Sequence, residues 1–129
     1  MRQFLPYVLV GIGGFFGANA RFLVGTWVGR TFDTRFPLGT FLVNVSGCFV
    51  IGVLGTLVLE RLIGRTDQVQ LLLVIGFLGA YTTFSSFAFE NDALFADGHW
   101  VTAALYISSS VLVGLLAARA GVLLARAWF

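Results

Sequence analysis

Four apolar runs separated by three short polar stretches make up the chain, at about residues 4–28, 38–59, 69–89 and 100–118. Each is long enough to cross a hydrocarbon layer, which takes about 20 helical residues. Only the first contains a charge, Arg21. The connections, residues 30–35, 60–68 and 90–99, leave no length for a soluble domain. The pattern predicts a single all-α domain, residues 1–129, of four transmembrane helices with both termini on one side.

Composition points the same way. The 129 residues are 58% hydrophobic and 11% charged, proportions of an integral membrane protein rather than a soluble domain. A formal net charge of +2 without a basic cluster excludes a nucleic-acid partner. Residues 4–16 followed by Ala18-Asn19-Ala20 imitate a secretory signal and its cleavage site. The apolar run resumes at Phe22, which a cleaved signal does not require. Orientation follows the arginines, since lysine is absent. Arg2, Arg61, Arg65, Arg119 and Arg126 lie on the side of the termini, and Arg30, Arg35 and Arg21 on the other. Five against three is a feeble bias, compatible with insertion in both directions and with a dimer of oppositely oriented copies.

The third run changes character midway. Residues 76–90 read GFLGAYTTFSSFAFE, so two glycines and two adjacent threonines interrupt an apolar helix and predict a break. Non-helical backbone survives at membrane depth only where it is buried in protein or lines a cavity. Hydroxyls of Thr82, Thr83, Ser85 and Ser86 cluster there. Freed carbonyls suit a cation and freed N–H groups an anion, and both signs stay open. Phe84 and Phe87, three apart, share a face if helix resumes. Their rings have positive edges, which together with hydroxyl donors let an anion shed water without being trapped by a full charge.

The other spans carry their own polar positions. Gly13, Gly17, Arg21, Gly25 and Gly29 recur at spacings of four and form a bare ridge on the first helix, suited to close helix packing or, as the weaker reading, to a glycine-lined pore. Arg21 on that ridge either reaches the interface or a helix end, or concentrates anions at a vestibule. In the second span Thr40 and Asn44 share a face with Gly47 and Cys48. Asn44 makes an interhelical hydrogen bond or donates its amide to a ligand. The lone cysteine, Cys48, reads as a small packing residue. The fourth span offers Thr102, Tyr106, Ser109 and Ser110 on one side, whose hydroxyls can also satisfy themselves on the preceding turn. Glu90 ends the third run, with Asn91, Asp92 and Asp97 in an interfacial loop. His99 beside Trp100 lacks the companions that a metal site needs.

Three stretches together resemble the Fluc (CrcB) family of fluoride channels, a resemblance that covers all four spans. They are Gly17-Ala18-Asn19-Ala20-Arg21-Phe22, Gly39-Thr40-Phe41-Leu42-Val43-Asn44-Val45-Ser46-Gly47, and Gly79-Ala80-Tyr81-Thr82-Thr83-Phe84-Ser85-Ser86-Phe87 with Glu90. The resemblance implies an antiparallel, dual-topology homodimer in a bacterial inner membrane, with two pores built from both copies. It further implies a central structural sodium ion held by carbonyls near Gly79 and Thr82. Phe84 and Phe87 would present ring edges to fluoride and Asn44 its amide, with Thr40 and Ser86 on the same pathway. Tyr106 and Ser110 would belong to a polar row along it, Arg21 would sit near a vestibule, and Glu90 near a pore end. Asn19 and Phe22 depart from the family pattern at the vestibule.

The activity implied is passive export of fluoride by the membrane potential, which lowers fluoride toxicity. No GxxxxGK[ST] phosphate loop is present. A small dual-topology multidrug or cation exporter is the alternative. It needs a membrane-embedded carboxylate, and the pattern puts none inside a span. A structural subunit leaves the break unexplained, and an enzyme lacks paired nucleophile and base groups.

Overall fold

The computed structural model describes residues 2–60 and 66–128. After a 3-10 turn, Arg2–Phe4, come α1 (Leu5–Thr31) and α2 (Leu38–Glu60). A short α3 (Thr66–Val69) leads into a π-helical segment, Gln70–Leu78, and then α4 (Gly79–Tyr81). Finally come α5 (Phe84–Ala96) and α6 (Trp100–Trp128). Four stretches are long and apolar enough to cross a membrane: Leu5–Thr31, Leu38–Val58, Asp67–Ala96 and Trp100–Trp128. The protein is an all-helical, multi-pass membrane protein, without strands among the described residues.

Two helices run further than the apolar pattern suggests. Residues 90–99 are mostly helix rather than loop, because α5 continues through Ala96 and carries Glu90, Asn91 and Asp92 with it. Asn91 supports this turn by donating from Nδ2 to the Phe87 carbonyl at 2.8 Å. Gly98, with φ of 77°, ends the run. Its N–H reaches the Phe95 carbonyl at 3.1 Å while that of His99 reaches the Leu94 carbonyl at 2.8 Å, the paired closure that a left-handed glycine makes possible. Likewise α6 passes Ala118 and reaches Trp128, because its extra turns remain in contact with α2. Gly121 and Ala125 are buried, and a Cβ on Gly121 would fall on the Phe49 carbonyl oxygen.

Bare backbone positions set the closest helix approaches. A Cβ on Gly52 would meet the Ala118 carbonyl oxygen, so α2 and α6 cross with their main chains in contact, as small residues allow in membranes. The ridge on α1 divides. Cβ atoms on Gly13 and Gly17 would strike the carbonyl oxygens of Leu72 and Phe77, whereas Gly25 and Gly29 have nothing within 4 Å. Half the ridge therefore packs on the π segment and half faces open space. Cys48 is a packing neighbour, its Sγ 3.4 Å from where a Cβ on Gly114 would sit.

Between α5 and α6 lies a small core of Leu94, Ala103 and Tyr106, flanked by Phe36, Phe41, Phe87 and Phe95. Tyr106 is fully buried. This core fixes the height of α5 against α6, and thereby the position of Glu90.

Candidate ion pathway

Between α4 and α5 the backbone is extended at Thr82 (φ −79°, ψ 159°) and Thr83 (φ −151°, ψ 123°). Thr82 stays tied to the preceding turn, its N–H and its Oγ1 both donating to the Leu78 carbonyl at 3.0 Å. Thr83 caps α5: its Oγ1 accepts from the Ser86 N–H at 3.2 Å, as a helix N-cap requires, and donates to Ser86 Oγ at 3.1 Å.

The main chain of Thr83 is satisfied from α2. Its N–H donates to Asn44 Oδ1 at 2.8 Å, and Asn44 Nδ2 donates to its carbonyl at 2.9 Å. One carboxamide thus takes both polar groups of an extended residue, which a bilayer would otherwise leave unpaired. In a continuous helix the Thr83 N–H would return to the Gly79 carbonyl, four residues back. Its redirection to Asn44 leaves that carbonyl without its helical donor. Of the two alternatives for Asn44, the interhelical bond is present, and it engages one of the two amide hydrogens.

Glu90 is half-buried inside the bundle. Thr40 Oγ1 donates to its Oε1 and Tyr106 Oη to its Oε2, each at 2.7 Å. Both carboxylate oxygens are therefore held by neutral donors from α2 and α6, and Arg21 is not the partner. The position expected at the end of the run is a junction of three helices. Beside it runs an aromatic series: Phe36 meets Phe41 (centroids 5.4 Å) and Tyr106 (5.2 Å), Tyr106 meets Phe87 (5.0 Å, planes at 62°), and Phe87 meets Phe84 (5.7 Å). Phe84 is largely exposed.

Three recesses follow one another. The first, of about 360 Å³, is bordered by Asn44, Gly47, Gly79, Thr82, Thr83 and Phe84 among others. A second, of about 420 Å³, brings together Arg21, Thr40, Thr83, Ser86 and Glu90, with Gly25 and Gly39 on its wall. The third, of about 300 Å³, shares Gly25, Gly39, Thr40 and Glu90 with the second and continues past Gly29 and Thr34. Thr83 thus separates the first two, and the Thr40–Glu90 pair separates the last two.

Of the candidate residues, Arg21, Thr40, Ser86 and Glu90 share one chamber, and Asn44, Gly79, Thr82 and Phe84 another. Phe87, Tyr106 and Ser110 border none of the three. The first two connect to Glu90 and Phe84 through ring contacts and a hydrogen bond. Ser109 Oγ reaches the Tyr106 carbonyl at 3.5 Å, whereas the buried Ser110 Oγ has no partner. Sequence reasoning passed over Ser46 and Tyr81, whose hydroxyls lie 2.8 Å apart. Their signal was two hydroxyls in apolar spans, visible within the motifs but assigned no role.

Among the described residues no group of three or more His, Cys, Asp and Glu could hold a metal, and the oxygens bordering the first recess are neutral ones of the backbone and of Asn44, Thr82 and Thr83. The released Gly79 carbonyl, beside Thr82 on the first recess, has the hard-oxygen character that an alkali cation accepts.

A family model described as CrcB-like protein, Camphor Resistance (CrcB), matches residues 8–122. A protein of Chloroflexus aurantiacus named fluoride-specific ion channel FluC is 43% identical over 120 residues, covering 93% of this chain and 94% of the relative. Relatives of the same name from Prosthecochloris aestuarii (43% over 127 residues, 98% of each chain) and Solibacter usitatus (45% over 122 residues, 95% of this chain and 99% of the relative) extend the likeness end to end.

Proposed function

The chain belongs to the CrcB-like protein family, Camphor Resistance (CrcB), and from that premise we propose that it is a passive, fluoride-selective channel of a bacterial inner membrane. The observation that carries the proposal is the second recess, where Arg21, Thr40, Thr83, Ser86 and Glu90 meet between α1, α2 and the start of α5. Relatives that match nearly the whole chain are named fluoride-specific ion channels, and the chamber is the place where this chain collects polar groups against its apolar helices.

Fluoride enters past Arg21, whose charge raises the local anion concentration. The hydroxyl of Ser86, which accepts the Thr83 proton and keeps its own to give, replaces part of its water, and the second amide hydrogen of Asn44 adds a donor on the far side of Thr83. Phe84 and Phe87 offer ring edges, and the row that the resemblance implies continues through Tyr106, whose own proton is held by Glu90, to Ser110, whose buried hydroxyl has no partner within the chain. Beyond Arg21 none of these groups is a full positive charge, so the ion leaves as readily as it enters. A negative-inside potential drives it outward at about 2.3 kcal/mol per charge per 100 mV. The export lowers fluoride toxicity without a catalytic step.

The functional unit in this proposal is an antiparallel homodimer with two pores. A structural sodium ion would be held at its centre by the Gly79 and Thr82 carbonyls of both copies. When bound, the ion supplies a fixed positive charge that ties the two extended segments together. The carbonyl released by the Asn44–Thr83 contact is what suits this chain to it.

Glu90 gives the exporter reading one specific support. A cation/proton exporter needs a carboxylate inside a span, and Glu90 lies within Asp67–Ala96 with Thr40 and Tyr106 on its two oxygens. Both readings are tested on proteoliposomes loaded with fluoride and chloride, with potassium and valinomycin setting the voltage. Voltage-driven fluoride loss with chloride retained supports the channel. Absence of fluoride loss, with a proton gradient driving out a quaternary-ammonium dye, would replace it with the exporter.

A further inference from the structure

Three positions of α2, Asn44, Ser46 and Gly47, take hold of the chain where it leaves α4. Asn44 binds both main-chain groups of Thr83. Gly47 is bare where a Cβ would collide with Thr82 Cγ2, so the threonine methyl fills that notch. Between these two contacts, Ser46 Oγ and Tyr81 Oη stand 2.8 Å apart. Ser46 directs its own proton to the Val43 carbonyl at 3.1 Å, which leaves the Tyr81 hydroxyl as donor in the pair.

The tyrosine ring has a second contact. Phe77 stacks on it with planes 12° apart and centroids at 5.8 Å, and the Phe77 carbonyl occupies the notch at Gly17 of α1. Tyr81 is therefore oriented through Phe77 by α1 and pinned by Ser46 to α2. Such holding acts where it is needed, at the end of the continuous helical run Thr66–Tyr81, where the next residue, Thr82, is already extended and no further turn supports the last one. Neither Ser46 nor Tyr81 borders any of the three recesses. Contact with the ion does not explain this hydroxyl pair in an apolar span.

We infer that Ser46 and Tyr81 are positioning residues: their hydrogen bond braces the last helical residue before the extended segment, keeps Thr82 and Thr83 in register with Asn44, and so sets the rate of fluoride passage. The inference rests on the channel reading above. Loss of the bond lets the last turn before Thr82 fray, and the Thr83 N–H then spends more time away from Asn44 Oδ1.

The test uses the full chain in proteoliposomes, as wild type, Tyr81→Phe, Ser46→Ala, Ser46→Thr and the double variant Tyr81→Phe/Ser46→Ala. Fluoride efflux and amide hydrogen exchange across residues 82–84 are read on the same vesicles. Tyr81→Phe and Ser46→Ala should each slow efflux about three- to tenfold, the worth of one interhelical hydrogen bond in a membrane. Exchange should accelerate by a similar factor. The double variant should be no slower than either single, since one bond is removed once, and Ser46→Thr should restore the wild-type rate. Unchanged efflux and exchange in both single variants would overturn the brace. So would single effects that multiply, or slower efflux with unchanged exchange, since the hydroxyl would then act on the ion itself. Exchange does not require conduction, so a wild-type chain that passes no fluoride refutes the channel reading separately.

Discussion

Asn44 of α2 and Thr83, at the turn between α4 and α5, are joined by two antiparallel hydrogen bonds, 2.8 Å to the threonine N–H and 2.9 Å from the amide to its carbonyl. The pairing imitates one rung of a β-ladder inside a helical bundle. It lets backbone leave the helix without exposing an unpaired donor or acceptor, and it holds the wall between the first two recesses.

Asn44→Ala should therefore be costly twice over. It leaves the buried N–H and C=O of Thr83 without partners, at about 1–3 kcal/mol for each buried group, and withdraws a donor from the proposed pathway. Fluoride efflux should fall at least about tenfold, with a lower thermal midpoint of the purified protein, since a factor of ten corresponds to only ~1.4 kcal/mol. Efflux and midpoint at wild-type values would show that the pairing has no role in either.

The divided ridge of α1 predicts opposite outcomes for one substitution. Gly17→Ala drives a methyl into the Phe77 carbonyl and should give little monodisperse protein on gel filtration. Gly29→Ala meets open space and should fold with stability within about 0.5 kcal/mol of wild type. Comparable yields of the two would contradict the close approach of α1 to the π segment.

Tyr106→Phe keeps the ring contacts at Phe87 and Phe36 but leaves Glu90 Oε2 without its donor. A hydrogen bond to a charged group contributes about 1.5–3 kcal/mol, so the midpoint should drop measurably while the ring packing persists. Fluoride efflux should slow as well, because the carboxylate at the neck between the second and third recesses is then held by Thr40 alone. Unaltered efflux would remove Glu90 orientation from the pathway.

Phe87→Ile keeps bulk and apolarity and loses the ring edge. If ring edges receive the ion, efflux should be abolished while gel filtration still shows the wild-type assembly. Normal flux by this variant would end the case for Phe84 and Phe87 as ligands, and the 5.0 Å contact with Tyr106 would then be packing alone.

Much of the architecture was legible because membrane spans are written locally. Continuous apolarity over about 20 residues dictates a helix wherever water is excluded, and a pair of threonines after Gly76 and Gly79 stands out against it. Charge was a poorer guide. Reading Glu90 as the end of a run and residues 90–99 as a loop assumes that a carboxylate must leave the span. Hydroxyls on Thr40 and Tyr106, 50 and 16 residues away, make its place inside tenable. No spacing rule records such partners.

The residue types of the candidate site could likewise be named in advance, but not their grouping. Arg21, Thr40, Ser86 and Glu90 come from three separate spans, and they share a chamber because Gly25 and Gly39 leave room there. Gly13 and Gly17, identical in sequence spacing, abut the π segment instead. The π winding of Gln70–Leu78 had no local signature of its own, since apolar residues of these kinds also fill α-helical spans, and its backbone lies against α1 at Gly13 and Gly17.

By itself, then, the sequence determined an apolar four-span helical protein with a polar interruption in the third run, because hydropathy and backbone satisfaction act over neighbouring residues. Tertiary structure alone decided that Asn44 closes on Thr83, that Glu90 stays within the bundle, and that Tyr81 is tied to Ser46. Each of those depends on a hydrogen bond between helices whose rotation and height are set by where bare glycine backbone allows them to touch.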